Sequence, residues 1–202
     1  ALSNHDVVRE VTRYGNGAVG TARARAMLLA ILALPGIAFI YNGAELGLPS
    51  DFSIPHDRLT DPTWDRTDHA ELGRDHCRVP LPWSGDRPPY GFSGADDTWL
   101  PMPDTWSDLT VEAQSADPES TLSLYRRAIR IRHSWPTPTT PEVRWTSTPD
   151  GCLGFLREDG PVLCMINTSR RSVPLPDGTV VLSSAPLDGG LLPPDTAVWL
   201  QR

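Results

Sequence analysis

The hydrophobic pattern changes character along the chain, and each change predicts a different kind of structure. A short apolar start at Ala1-Leu2 reads as the end of a strand, and the polar cluster Asn4, His5 and Asp6 follows it. Gly20 to Leu34, "GTARARAMLLAILAL", predicts a helix rich in alanine and leucine, stopped by Pro35-Gly36. Its basic residues Arg23 and Arg25 lie in the first half and the second half is apolar nearly all round, which predicts burial on most sides. "IAFIY", Ile37 to Tyr41, is β-branched and aromatic, the pattern of a strand buried on both faces of a parallel sheet. Polar end, helix, buried strand: this is part of a β/α repeat.

The period then disappears. Gly43 to Ala116 shows neither a helical nor a strand repeat, yet holds nine prolines and the tryptophans Trp64, Trp83, Trp99 and Trp106. Disordered segments are poor in aromatic residues, so this stretch is expected to be an ordered, functional loop. Order resumes with a helix for which Asp117 is the expected N-cap and Pro118 the first residue. Leu124, Ala128, Ile131 and Trp135 form its apolar stripe. "PTPTTPE", beginning at Pro136, reads as a linker. Short runs separated by turns follow: 143–147, 152–158, 162–168, 172–175, 179–183 and 197–201. That spacing predicts a small antiparallel sandwich.

Composition narrows the function. The 202 residues carry a net charge of −7, which argues against a nucleic-acid partner, since such proteins present a basic face. The apolar stretch from Ala26 to Tyr41 is too short, and too interrupted by Pro35-Gly36, to cross a membrane as one helix. No secretory leader is read at the start. Cys77, Cys152 and Cys164 are too scattered for a disulfide framework. A tight turn at Asp159-Gly160 would set Cys164 opposite Phe155 rather than Cys152. Three free thiols suit a reducing compartment, so a cytoplasmic location is expected. His56, His69 and His76 with Asp57 and Asp75 lack close ligand spacing on a regular element. Neither a metal nor another cofactor is expected.

Taken by itself, Asn-His-Asp fits a turn whose aspartate caps a helix. Its context points elsewhere. "LSNHDVVR", a helix, "LPGIAFIYNGAELGLP" (Leu34 to Pro49), "GRDHCRVPLPW" (Gly73 to Trp83), "TWLPMP" (Thr98 to Pro103) and "TVEAQSADPESTLSLYRRAIRIR" (Thr110 to Arg132) follow in order. Together they resemble the last third of the α-amylase superfamily, glycoside hydrolase family 13, in its α-glucosidase and oligo-1,6-glucosidase branch. The resemblance implies an α/β plus all-β fold: the C-terminal part of a (β/α)8 TIM barrel, with strands seven and eight, helices and a long loop, then an antiparallel β-sandwich. The corresponding domains are 1–135 and 142–202, joined by a linker at 136–141.

The resemblance also assigns chemistry. Barrel active sites lie at the carboxyl ends of the strands, where the polar cluster would sit. Asp6 matches the carboxylate that stabilises the oxocarbenium-like transition state. His5 would bind sugar hydroxyls, Arg9 would hold the polar network of the substrate site, and Arg78 would reach the sugar in its outer part. The family's nucleophile and general acid, about 5 Å apart in retaining enzymes, match positions before Ala1. Glu45 is not that acid; by its match it lies after strand eight and is read as structural. "RVPLPW" aligns with a family signature usually read Arg-Asp-Pro-Met-Gln-Trp, and Val79 and Pro82 depart from it. Trp83 reads as core under the loop rather than a sugar platform.

The resulting reading is the C-terminal fragment of a retaining α-glucosidase acting on α-linked gluco-oligosaccharides such as maltose or isomaltose, inactive without the barrel part that precedes it in the same protein. Two alternatives stay open: a non-catalytic relative acting as a binding or partner subunit, and a trehalose synthase-like transglycosidase.

Overall fold

The computed structural model describes residues 1–136, 142–157 and 162–202. Apart from Pro136, the expected linker lies outside the described residues, as does the turn at Asp159-Gly160. The chain divides into two compact units, one of Ala1–Asn16 with Ile40–Ser123 and one of Gly17–Phe39 with Leu124–Arg202.

In the first unit the long aperiodic stretch is ordered, as its tryptophans suggest. It holds no strand among its residues, only short helical turns, of which α3 (Thr63–Arg66) and α4 (Val111–Ala116) are α-helical. The stretch folds on a core of its own that includes Leu46, Leu48, Ile54, Val79, Tyr90, Leu100, Met102 and Trp106. Tyr90 is buried and its hydroxyl donates to the Pro103 carbonyl at 3.0 Å, so the ring is apolar packing with a satisfied tip. A further short helix, α1 (Glu10–Arg13), follows the polar cluster. The Thr110 hydroxyl caps α4 by accepting from Ala113 N.

Among its described residues the second unit holds α2 (Gly17–Ala33) and seven strands. These are β1 (Val143–Trp145), β2 (Cys152–Arg157), β3 (Val162–Asn167), β4 (Val173–Pro174), β5 (Thr179–Ser183), β6 (Leu191–Leu192) and β7 (Thr196–Gln201). A five-stranded sheet has the order β1-β2-β3-β7-β5, with β4 and β6 paired beside it, and every described pairing is antiparallel. Phe155 stands opposite Cys164, the register that a tight turn requires. β3 is buried at every residue, so strict alternation is absent. Leu163, Met165, Val198 and Leu200 pack with Val173 and Leu192 of the small sheet. On the other face Trp199 donates its indole N–H to the Leu29 carbonyl of α2 at 3.0 Å. Covering both faces removes the polar positions that a half-exposed strand would carry.

α2 buries Leu28, Leu29 and Leu32 almost completely, each contributing about 1.5–3 kcal/mol. Pro35-Gly36 ends it, and Arg132 satisfies the freed carbonyls. Its guanidinium donates to Leu32 O, to Leu34 O at 2.7 Å and to Gly36 O at 2.5 Å. A cation at a helix C-terminus also complements the helix dipole.

The structure corrects several sequence expectations. Neither Ala1–Asn4 nor Ile37–Tyr41 forms a strand. Ile37 is 85% and Phe39 66% exposed, so the expected double-sided burial is not met. A strand exists through its ladder, and no described residue pairs with these segments. The helix expected from Asp117 begins instead at Thr121, giving α5 (Thr121–His133). The Asp117 carboxylate accepts from Glu119 N at 2.8 Å, closing a turn, while the Ser120 hydroxyl accepts from Ser123 N at 3.1 Å and caps the helix. Trp83 is 48% exposed, not core. Its backbone is fixed by Tyr90 O and Glu112 N, which leaves the indole outside.

Candidate active site

The polar cluster is a tight turn with outward side chains. The Asn4 side-chain oxygen accepts from Asp6 N at 2.8 Å, which presents the His5 and Asp6 side chains outward, at 66% and 46% exposure. Below the turn, the Ser3 hydroxyl donates to the Glu10 carboxylate, both buried, so the segment is anchored on either side of the cluster.

Two arginines flank Asp6. A 3-10 turn over Asp75–Cys77 separates Arg74 from Arg78 and turns both guanidiniums toward the aspartate. Arg74 Nη1 lies 2.9 Å and Arg78 Nη2 3.3 Å from the same oxygen, Asp6 Oδ1. The other oxygen, Oδ2, lies 3.2 Å from His5 Nε2. Arg78 Nε also donates to the His5 carbonyl at 2.9 Å. The hydrogen bond from Arg74, helped by the charges of His5 and Arg78, holds the Asp6 carboxyl below its usual range. Asp6 is therefore an anion throughout neutral pH.

Behind this surface sits a second carboxylate, Asp61, whose side chain is fully buried. Its Oδ2 accepts from Arg74 Nε at 2.6 Å and lies 3.6 Å from Arg78 Nη1, while its Oδ1 accepts from Thr63 N at 3.0 Å. The Arg74 hydrogen bond pulls the Asp61 carboxyl far below its ordinary value. Asp75 reciprocates: its Oδ2 accepts from Thr60 N at 2.5 Å and from Asp61 N at 2.8 Å. The close approach requires Gly73, where φ is +71° and an added Cβ would lie 2.9 Å from Asp61 Cβ.

Arg9 stands apart from the exposed surface. It is 1% exposed, and its guanidinium donates to Asn42 O and Cys77 O at 2.9 Å each and lies 4.9 Å from the centre of the Tyr41 ring. It joins the turn after the polar cluster to the segments that carry Asn42 and Arg78. Gly43 makes room for it: φ is +88° and a Cβ would fall 2.7 Å from Arg9 Nη1 and 2.8 Å from Leu48 Cδ1. Glu45 accepts from Gly43 N at 2.8 Å, completing the turn. Gly43→Ala should therefore destabilise the protein by about 1–3 kcal/mol, read as a lowered denaturation midpoint. An unchanged midpoint would contradict this packing.

Of the residues singled out from sequence, His5, Asp6 and Arg78 come together, while Arg9 is buried on the Asn42 and Cys77 carbonyls and touches none of them. Arg74 and Asp61 were missed. The spacing of two arginines around Asp75 in "GRDHCR" was the available signal; the distant Asp61 had none. Of the histidines considered for a metal, His56 and His69 pack against Trp64 with ring centres 4.5 and 4.7 Å away. His76 is buried against the Ser50 hydroxyl at 3.1 Å, and burial lowers its pKa. Among the described residues no group of three or more histidine, cysteine, aspartate or glutamate side chains is arranged to hold a metal. Nor is any helix among them long and apolar enough to cross a membrane.

Comparison with known proteins gives this geometry a family. The alpha-amylase catalytic-domain family matches residues 1–139. A probable alpha-glucosidase of Rhizobium meliloti is 36% identical over 172 residues, spanning 84% of this chain and 31% of that protein. The oligo-1,6-glucosidase IMA5 of Saccharomyces cerevisiae is 30% identical over 154 residues, 65% of this chain and 26% of its own. Among solved structures, the alpha-glucosyl transfer enzyme XgtA superposes with a TM-score of 0.78 at 31% identity, over 98% of this chain and 39% of that one. A Bacillus licheniformis trehalose-6-phosphate hydrolase shares the fold, with a TM-score of 0.74 at 22% identity, over 99% of this chain and 42% of that one. The chain thus spans between a quarter and a third of the length of the curated relatives it matches. By the family match over most of its residues, this chain belongs to the α-amylase family, glycoside hydrolase family 13, and its homologues include α-glucosidases and oligo-1,6-glucosidases.

Proposed function

We propose that this chain is the C-terminal part of a retaining α-glucosidase that hydrolyses α-linked gluco-oligosaccharides such as maltose or isomaltose. In this reading residues 1–135 complete a (β/α)8 barrel and residues 142–202 form the β domain that follows. The observation that carries it is the exposed Asp6 carboxylate, one oxygen fixed by two arginines and the other beside His5. An oriented anion in that setting suits a site where positive charge grows on a sugar ring, because its dipoles need no rearrangement as the bond breaks. His5 binds sugar hydroxyls beside it. Arg78 reaches the outer part of the site, and Arg9 holds the turn from beneath.

The nucleophile and general acid of a retaining mechanism are assigned to residues outside these 202, so the chain by itself is inactive. The test is hydrolysis of a nitrophenyl α-glucoside by residues 1–202 and by the full-length protein that carries them. Turnover only by the latter is expected; turnover by the isolated chain would overturn the assignment. The 31% identity to an alpha-glucosyl transfer enzyme favours a second reading in which a sugar hydroxyl replaces water as acceptor. Product analysis of the full-length reaction separates the two.

Arg78→Ala in the full-length protein should raise KM for maltose and longer oligosaccharides about tenfold with a smaller loss in kcat, since it removes binding more than transition-state stabilisation. Unchanged constants across chain lengths would reject its place in the substrate site.

A further inference from the structure

Resting on the reading of Asp6 above, we infer that Asp61 is a positioning residue for the reaction: it holds Arg74 against Asp6 and cancels the positive charge that the paired arginines would otherwise place beside the sugar. Four charges form a closed arrangement. Arg74 spans the two carboxylates, with Nε 2.6 Å from Asp61 Oδ2 and Nη1 2.9 Å from Asp6 Oδ1. Arg78 spans the same two oxygens, with Nη1 at 3.6 Å and Nη2 at 3.3 Å. Each guanidinium thus faces both acids, and the four groups sum to zero.

The partners differ in exposure in a way that divides their work. Asp61 is fully buried, whereas Asp6 is 46% exposed and Arg74 41%. Of the two carboxylates only Asp6 is exposed, and its Oδ2 lies beside His5. If Asp61 were neutral, two cations would stand against one anion, and the net charge next to the ring would be positive. That field opposes an oxocarbenium-like transition state yet hardly affects a neutral sugar in the ground state. A merely structural aspartate would lower apparent kcat through the amount of folded protein and leave the affinity for a charged inhibitor unchanged. Asp61 touches no reacting atom and acts through Arg74.

The test compares Asp61→Asn with Asp6→Asn in the full-length protein. For Asp61→Asn we expect a loss in kcat of roughly tenfold or more with KM changed less than about twofold. A protonated iminosugar inhibitor, whose charge imitates the transition state, should bind correspondingly more weakly, while inhibition by neutral glucose should stay the same. If Asp61→Asn matches the unmodified protein in kcat and iminosugar affinity while Asp6→Asn is inactive, the inference is overturned and the proposed function stands. If Asp6→Asn itself turns over normally, the proposed function fails. Should Asp61→Asn not fold, Arg74→Gln decides: it frees Asp6 Oδ1 from one partner, so kcat should fall, yet it leaves the charge of Asp61 uncancelled, so the protonated iminosugar should bind no more weakly than to the unmodified protein. Iminosugar binding weakened in step with kcat in a folded Arg74→Gln protein would overturn the inference.

Discussion

Asp6→Asn in the full-length protein should lower kcat by about 10²–10⁴-fold while leaving the folded structure and its melting temperature nearly unchanged. The substitution keeps shape and size but removes the charge, so the loss falls on the state in which the sugar is most positive. The side chain is exposed at the end of a turn that the Asn4 side chain and the Asp6 backbone N–H hold without help from the carboxylate. The cost to stability is correspondingly small: Arg74 keeps its partner Asp61, and Arg78 keeps its bond to the His5 carbonyl. Near-normal hydrolysis of a nitrophenyl α-glucoside would remove Asp6 from the site.

Trp199→Ala should have the largest effect on stability, about 3–5 kcal/mol. The ring is fully buried in β7, packs on Trp135 with centres 4.8 Å apart, and faces Cys164 and Leu182 across its two neighbouring strands. Truncation leaves a cavity next to Cys164, whose thiol burial has already pushed up to about 12, and removes the indole donor from the Leu29 carbonyl. Trp199→Phe should recover much of the loss, because it restores most of the ring volume and forfeits the hydrogen bond and the remainder of the bicyclic ring. Chemical denaturation of the three proteins checks this; equal midpoints for Trp199→Ala and the unmodified chain would show that the second unit does not rest on this contact.

Local chemistry made much of this legible in advance. Alanine and leucine up to Pro35-Gly36 specify α2, and the short apolar runs after Glu142 specify strands, with Cys164 opposite Phe155 as expected. What could not be read depends on partners. "IAFIY" has the composition of a buried strand, but burial belongs to a sheet, and no described residue supplies the ladder. Asp117-Pro118 looks like a helix start, yet Ser120 offers a cap to a helix that begins later. Within the site, His5, Asp6 and Arg78 were recognisable by motif. Asp61 was not, because a buried acid becomes meaningful only when the chain returns Arg74 to it.

A structure of the full-length protein, made inactive at its proposed nucleophile, with a bound α-glucoside tests the role of Asp6 most directly. The glucosyl ring is expected beside His5, within hydrogen-bond distance of Asp6 Oδ2, with Asp6 Oδ1 still held by Arg74 and Arg78. A sugar bound elsewhere, with Asp6 facing only solvent and its arginines, would contradict it.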